Sequence, residues 1–225
     1  NGAVAVLPIR GDGGLMAASQ TLTAGGNAHQ ILTDPSNAFV LVPCKGADWV
    51  AQYTFAAGTL TANATPHAMT ASGAGPRHIA FAPGAQYAYL VNENNSTLTA
   101  FSFTAGRLTE LQTVSTRAAG ATGANTGAEI VVHPSGAFVY SSNRGDNNIY
   151  TNRSIDHGVS WMAHDQNLSA GLPPGTDFGP TVVALGGELH VFWGRVSPTV
   201  QTLYQRSLDG GATWLPAPQV LALAP

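Results

Sequence analysis

Charge and cysteine are scarce in this chain of 225 residues. Charged residues make up 9% of the sequence, Lys45 is the single lysine, and Cys44 is the single cysteine. One cysteine cannot form an intrachain disulfide or a cysteine-based zinc cage. The eight arginines are scattered and the net charge is −3, so there is no basic stripe that could follow a phosphate backbone. Nucleic acid is therefore not an expected partner.

Long apolar runs and targeting signals are also missing. No run approaches the roughly 18 apolar residues of a membrane helix, and the N-terminus lacks the basic start and apolar core of a signal peptide. We therefore expect a soluble chain with no membrane partner, and its location stays unknown. The histidines show no metal-ligand spacing, and there is neither a Gly-x-Ser-x-Gly elbow nor a phosphate loop. No metal and no cofactor is predicted.

Glycine and proline are plentiful, with 26 and 14 copies spread along the chain, and they mark a repeated unit. The stretches "HQILTDPSNAFVLVP", "RHIAFAPGAQYAYLVN" and "AEIVVHPSGAFVYSSN" each join two alternating apolar runs through a turn opened by proline. This pattern predicts β-hairpins. The turn prolines Pro35, Pro83 and Pro134 lie 48 and 51 residues apart, and a period near 50 built from strands predicts propeller blades.

Second hairpins complete these units. "GADWVAQYTFAAGTLTA" and "NSTLTAFSFTAGRLTEL" follow the first two, whereas the N-terminal segment carries a second half alone. A further pair begins at Pro180, with "PTVVALGGELHVFWG" as the first hairpin and "QTLYQRSLDGGATWLPA" as the second, whose last strand should include "ATWLPA". We expect the tail "QVLALAP" to pair with the N-terminal half blade. The prediction is one all-β domain over residues 1–225, a five-bladed propeller closed by its termini. A monomer without an obligate protein partner is expected; the same pairing between two copies would give a strand-exchanged dimer.

Residues 1–150 carry a specific resemblance. "GAGPRHIAF" followed by "VNE", together with the hairpins above, resembles the lactonase family of seven-bladed propellers, the 6-phosphogluconolactonase type. The resemblance implies a lactone pocket. Two positions depart from the family pattern. Asn27 stands at the first position of the family's His-x-His, and Trp49 replaces an arginine.

The candidate site follows from strand order. In a four-stranded blade, the entry of the first strand and the end of the second lie on the same face of the ring. That face should collect six polar residues that we name below as catalytic candidates. It should also collect Lys45, Asn92 and Arg195. A mixture of His, Arg and Glu can support acid–base hydrolysis and hold an anionic substrate. The candidates are His29, Arg77, His78, Glu93, Asn143 and Arg144.

Residues 151–225 carry a different motif. Ser-x-Asp-x-Gly-x-x-Trp occurs twice, 53 residues apart, and resembles the Asp-box of sialidase-type propeller blades. We interpret both copies as structural turns, in which Asp accepts backbone hydrogen bonds, Gly permits the tight turn and Trp packs between strands. The two copies are Ser154, Asp156, Gly158 and Trp161, then Ser207, Asp209, Gly211 and Trp214.

The change of motif falls inside a blade, whereas fused domains usually meet at a linker. This favours a chimera, an engineered or recombined scaffold without selected catalytic activity. A sugar-lactone hydrolase with Arg77, His78 and Glu93 in its site is the alternative hypothesis. A third hypothesis is a module that binds a small sugar or anion at the channel mouth without chemistry.

Overall fold

The computed structural model of the protein describes residues 2–117, 122–144, 148–153, 166–173, 175–185, 188–196 and 199–221. All regular secondary structure in these ranges is β-strand, arranged in five antiparallel sheets that we number I to V. No helix long and apolar enough to cross a membrane occurs among these residues.

Each sheet is a meander whose strands follow chain order. Sheet I has two strands, β1 (Ala3–Val6) and β2 (Gln20–Thr23). Sheet II contains β3 (Leu32–Thr33), β4 (Phe39–Cys44), β5 (Trp49–Ala56) and β6 (Thr59–Met69). Sheet III contains β7 (Pro76–Phe81), β8 (Tyr87–Asn92), β9 (Thr97–Thr104) and β10 (Arg107–Ser115).

The last two sheets repeat this four-stranded plan. Sheet IV contains β11 (Gly127–Val132), β12 (Phe138–Asn143), β13 (Asn148–Arg153) and β14 (Gln166–Asn167). Sheet V contains β15 (Thr176–Leu185), β16 (Glu188–Val196), β17 (Val200–Ser207) and β18 (Gln219–Leu221). The three predicted proline-turn hairpins are present as the first two strands of sheets II, III and IV.

The sheets stack face to face, so sheets II, III and IV each have two buried faces. In β8, Leu90 packs between sheets II and III, while Tyr89 and Val91 pack between sheets III and IV. Side chains alternate between the two faces of a strand. A strand buried on both sides therefore reads as the nearly continuous apolar run "YAYLV" rather than as an alternating one.

The predicted closure between the two ends of the chain is wrong for the residues that the structure describes. Gln219–Leu221 pairs antiparallel with β17 and forms the fourth strand of sheet V. The segment before it contains Pro216 and Pro218, which have no backbone N–H to donate to a ladder. The fourth strand consequently begins after Pro218 rather than at "ATWLPA". The predicted N-terminal half blade is present as sheet I, and the number of blades stays a prediction.

The second Ser-x-Asp-x-Gly-x-x-Trp copy forms a compact turn after β17. Asp209 Oδ1 accepts the backbone N–H of Thr213 at 2.8 Å, and Ser207 Oγ accepts that of Gly211 at 2.7 Å. Hydrogen bonds, led by that of the Thr213 hydroxyl, lower the pKa of Asp209 to about 2. Gly211 has a φ of 89°, and the Trp214 ring meets the Tyr140 ring edge to face. The first copy, Ser154 to Trp161, lies outside the described residues.

Candidate active site

Three cations surround one buried carboxylate at the face where first strands begin and second strands end. Glu93, which follows β8, has a side chain only 9% exposed. Its Oε1 lies 2.6 Å from Lys45 Nζ and 2.6 Å from an Arg144 guanidinium nitrogen. Its Oε2 lies 3.0 Å from Arg77 Nε, an ion pair whose angle is too poor for a hydrogen bond. We call Lys45, Arg77, Glu93 and Arg144 the Glu93 cluster; it spans sheets II, III and IV.

Register shifts at the start of the inner strands help to place these groups. In sheet III, Pro76 pairs with Asn92 but His78 pairs with Val91, so one extra residue is inserted at Arg77. A similar shift occurs between Gly127 and Ile130 in sheet IV. A β-bulge of this kind re-aims side chains and is common beside active sites. Arg77 reaches across to sheet IV, where a guanidinium N–H donates to Ala128 O.

The electrostatics of the Glu93 cluster favour an anionic ligand. Burial raises the pKa of Glu93, but hydrogen bonds from Lys45 and Arg144 and their charges outweigh it and hold the pKa below its ordinary value. The carboxylate is therefore ionised at neutral pH. Three positive charges face this one negative charge, and the side chains of Lys45 and Arg144 are 29% and 44% exposed. Both cations can therefore bind a ligand anion from solvent.

Two imidazoles lie beside the Glu93 cluster. The rings of His29 and His78 meet edge to face, with centroids 4.9 Å apart. Partial burial and the charge of Arg77 lower the pKa of His29, so this imidazole is neutral at neutral pH. His29 also borders an open cavity of about 460 Å³ beside Ala3 and Ala28, a size typical of small-ligand sites. A neutral imidazole can take a proton from water.

His78 has a partner that the sequence analysis did not single out. Its Nδ1 lies 2.8 Å from Glu129 Oε1 of the neighbouring sheet IV. In the sequence, Glu129 is one polar position in the strand "AEIVV", and nothing in the pattern shows that it reaches the preceding sheet. The repeat could have suggested it, because Glu129 occupies the strand-entry position that His78 occupies one unit earlier.

Other predicted candidates are engaged within the fold. Asn92 is buried and donates to the hydroxyls of Thr97 and Thr99. Arg195 pairs with the buried Asp177 at 2.7 Å, within sheet V. Trp49, the departure from the family pattern, donates from its indole to Ala24 O and stacks on His67. None of these three side chains contacts the Glu93 cluster through a described hydrogen bond or ion pair.

Asn143 is fully buried and joins sheet IV to the segment that follows sheet III. Its amide donates to Thr116 O at 2.6 Å, and its side-chain oxygen accepts from the Thr116 hydroxyl and the Asn125 amide, each at 2.9 Å. These contacts use most of its hydrogen-bonding capacity. We therefore propose a structural role for this predicted catalytic candidate.

Replacing Asn143 by alanine is expected to lower the free energy of unfolding by about 2 kcal/mol, because the Thr116 and Asn125 groups lose buried partners. Urea denaturation measures this change, with the exposed Asn94→Ala as the matched control. If both variants unfold at the same urea concentration, the structural role is refuted.

The model of the family described as lactonase, seven-bladed β-propeller, matches residues 1–178 of this chain. This chain belongs to the lactonase family. The match continues past residue 150 and includes the first Ser-x-Asp-x-Gly-x-x-Trp copy.

Named relatives of this lactonase-family chain agree with the assignment. It is 37% identical over 142 residues to a 6-phosphogluconolactonase of Serratia proteamaculans, covering 62% of this chain and 43% of that protein. It is 34% identical over 177 residues to a 6-phosphogluconolactonase of Yersinia pestis, covering 76% of this chain and 52% of that one. The chain thus spans about half the length of these relatives.

Solved structures show the same propeller-type fold. The periplasmic gluconolactonase PpgL of Pseudomonas aeruginosa matches with a TM-score of 0.70 and 26% identity, covering 99% of this chain and 67% of that one. A protein from Lactobacillus plantarum matches in fold with a TM-score of 0.74 and 23% identity, covering 96% of this chain and 63% of that one.

The comparisons correct the predicted chimera. A family match that runs through residue 178 and a structural match over 99% of the chain leave the change of family at residue 150 unsupported. The interpretation as a hybrid scaffold without selected activity is contradicted by the 6-phosphogluconolactonase relatives. The second Ser-x-Asp-x-Gly-x-x-Trp copy is a local turn, and a four-position turn motif is a weaker sign of descent than a match over most of the chain.

Proposed function

We propose that this chain carries the substrate-binding face of a sugar-lactone hydrolase of the 6-phosphogluconolactonase type. The observation that carries the proposal is the Glu93 cluster, in which three cations face one carboxylate directly beside two imidazoles. The names of the relatives support the same substrate class. The alignments cover only about half of each relative, so the activity of the chain by itself is part of the proposal.

Hydrolysis of a lactone requires three things of such a site. A water oxygen forms a bond to the ring carbonyl carbon, and a base takes the proton that this water loses. The carbonyl oxygen then carries a negative charge, which nearby cations stabilise. Finally the bond between that carbon and the ring oxygen breaks, and the ring oxygen receives a proton to give the open-chain acid.

The described residues can supply each of these. An imidazole of the His29–His78 pair accepts and returns the proton. Arg77, which is fixed by Glu93 and by Ala128 O, stabilises the developing charge. Lys45 and Arg144, the more exposed cations of the cluster, hold the anionic group of the substrate. Glu93 is paired with three cations and has a lowered pKa, so its role is to position them rather than to accept a proton.

The test is the initial rate of 6-phosphogluconolactone hydrolysis above the spontaneous rate, compared with the unphosphorylated lactone. We expect hydrolysis of both lactones. The phosphorylated substrate should have at least a tenfold higher kcat/KM, because its phosphate can contact Lys45 or Arg144 and so strengthens binding. A rate equal to that of buffer for both lactones would refute the proposal. Shifts of amide signals on adding phosphogluconate, without turnover, would instead favour the binding-module hypothesis.

A further inference from the structure

We infer that His78 is the proton acceptor of the proposed hydrolysis and that Glu129 is the positioning residue that orients it. The inference rests on the proposed function and assigns roles within the same site. It starts from a contact between neighbouring sheets, in which His78 Nδ1 lies 2.8 Å from Glu129 Oε1.

Glu129 fixes which nitrogen of His78 carries the hydrogen. Burial raises the pKa of Glu129, but hydrogen bonds from His78 and from the Ile130 amide outweigh it and keep the pKa below its ordinary value. An ionised carboxylate can only accept hydrogen bonds, so Nδ1 of His78 must be the donor. In the neutral ring, Nε2 then has a free lone pair and can accept a proton from water.

Glu129 is itself held in place from two sides. The same Oε1 accepts the backbone N–H of Ile130 at 3.0 Å, and the backbone N–H of Glu129 donates to Ser142 Oγ at 3.1 Å. These contacts lie at the register shift between Gly127 and Ile130. The carboxylate is therefore set by the backbone of sheet IV, and it sets a ring that belongs to sheet III.

His29 lacks comparable support. It is more exposed than His78, and within the described part of the chain no hydrogen bond orients its ring. A base that acts on a positioned water is more effective when a third group holds it. His78 meets this condition because Glu129 holds its ring. The side chains of His78 and Glu129 are 19% and 38% exposed, so the His78 ring is partly shielded but still open to solvent. His29 packs against it with centroids 4.9 Å apart and forms one wall of the site.

The experiment combines a spectroscopic and a kinetic measurement. Long-range ¹H–¹⁵N correlation spectra report the tautomer of His78, assigned from the His78→Gln variant. We expect the wild-type ring to carry its hydrogen on Nδ1, and Glu129→Gln to give a mixture of tautomers, because a glutamine side chain can either donate or accept. In the same variant kcat should fall about 10- to 100-fold while KM changes less than twofold.

Two comparisons keep the inference falsifiable. Glu110→Gln is the matched control, since Glu110 lies on β10, away from His78, and its carboxylate accepts the Thr113 hydroxyl at 2.9 Å. This variant should leave the His78 tautomer and kcat unchanged. His78→Gln should lower kcat at least 100-fold, and His29→Gln less than tenfold. A larger loss in His29→Gln than in His78→Gln, or an Nδ1–H tautomer that persists in Glu129→Gln with kcat unchanged, would overturn the inference.

The two proposals can fail separately. If the wild-type chain hydrolyses no lactone, the proposed function and the role of His78 as proton acceptor are both lost. The spectra of wild-type, Glu129→Gln and Glu110→Gln would still decide whether Glu129 orients His78, since they need no turnover.

Discussion

Replacing Arg77 by alanine is expected to lower kcat/KM for 6-phosphogluconolactone by about 100- to 1,000-fold. Arg77 is the innermost cation of the Glu93 cluster, with a side chain 17% exposed and contacts to Glu93 and Ala128 O. A donor held by two partners and shielded from water costs little to reorganise when charge develops on the substrate, and removing one such donor typically costs this much. Steady-state kinetics above the spontaneous rate measure the effect.

A conservative variant and a distant one sharpen this test. Arg77→Lys keeps the charge but loses the planar fork that contacts two partners, so it should recover only part of the rate. Arg107→Ala removes an exposed arginine at the start of β10, outside the cluster, and should leave kcat/KM within twofold of wild type. An Arg77→Ala enzyme with wild-type kcat/KM would remove Arg77 from the site.

Replacing Glu93 by glutamine is expected to lower the free energy of unfolding by about 3 kcal/mol at pH 7. The substitution keeps the shape of the side chain but leaves the three cations of the cluster without a counter-charge, and breaking a buried ion pair on one side is costly. The loss should be visible as a lower midpoint in urea denaturation. Asp12→Asn is the contrasting control, because the Arg10–Asp12 pair is exposed and such pairs contribute little.

The effect of Glu93→Gln should depend on pH in a defined direction. The pKa of Glu93 lies below its ordinary value of 4.5 in the folded protein, so the folded state favours the ionised form. The stabilisation by the carboxylate is then complete above about pH 4.5 and is lost as the pH falls through the folded-state pKa. The difference between wild type and Glu93→Gln should therefore shrink below that pH; a difference that stays constant down to pH 3 would contradict the ion-pair explanation.

The sequence predicted the hairpins well because their signals are local. A proline-opened turn between two apolar runs needs no knowledge of the rest of the chain, and Asp34 shows why such a turn forms. Its carboxylate accepts the backbone N–H groups of Ala38 and Phe39, so residues within the turn itself supply contacts that close it. The last strand of sheet V was misplaced because its signal is not local. "ATWLPA" also has the pattern of a strand, and tertiary packing determines that Gln219–Leu221 pairs with β17 instead.

The site could be predicted in part by the same means. Strand order alone places Arg77, His78, Glu93 and Arg144 on one face, and the structure brings them together. Strand order alone does not show which polar side chains turn toward the site. Asn143 looks equivalent to its neighbour Arg144 in the sequence but turns into the fold, and Glu129 gains its contact through a register shift that leaves no mark in the residue pattern. The monomeric state and the absence of a protein partner stay predictions.

The Glu93 cluster and the Glu129–His78 contact also act as ties between sheets. Lys45 ties sheet II to Glu93 of sheet III, Arg144 ties sheet IV to the same carboxylate, and Glu129 ties sheet IV to His78. Apart from His29, which precedes β3, the residues of the proposed chemistry thus lie within or directly after strands of three consecutive sheets that hold one another in position. We expect gain or loss of a repeat elsewhere along the chain to leave these distances unchanged, so that the number of repeats could change without moving the Glu93 cluster.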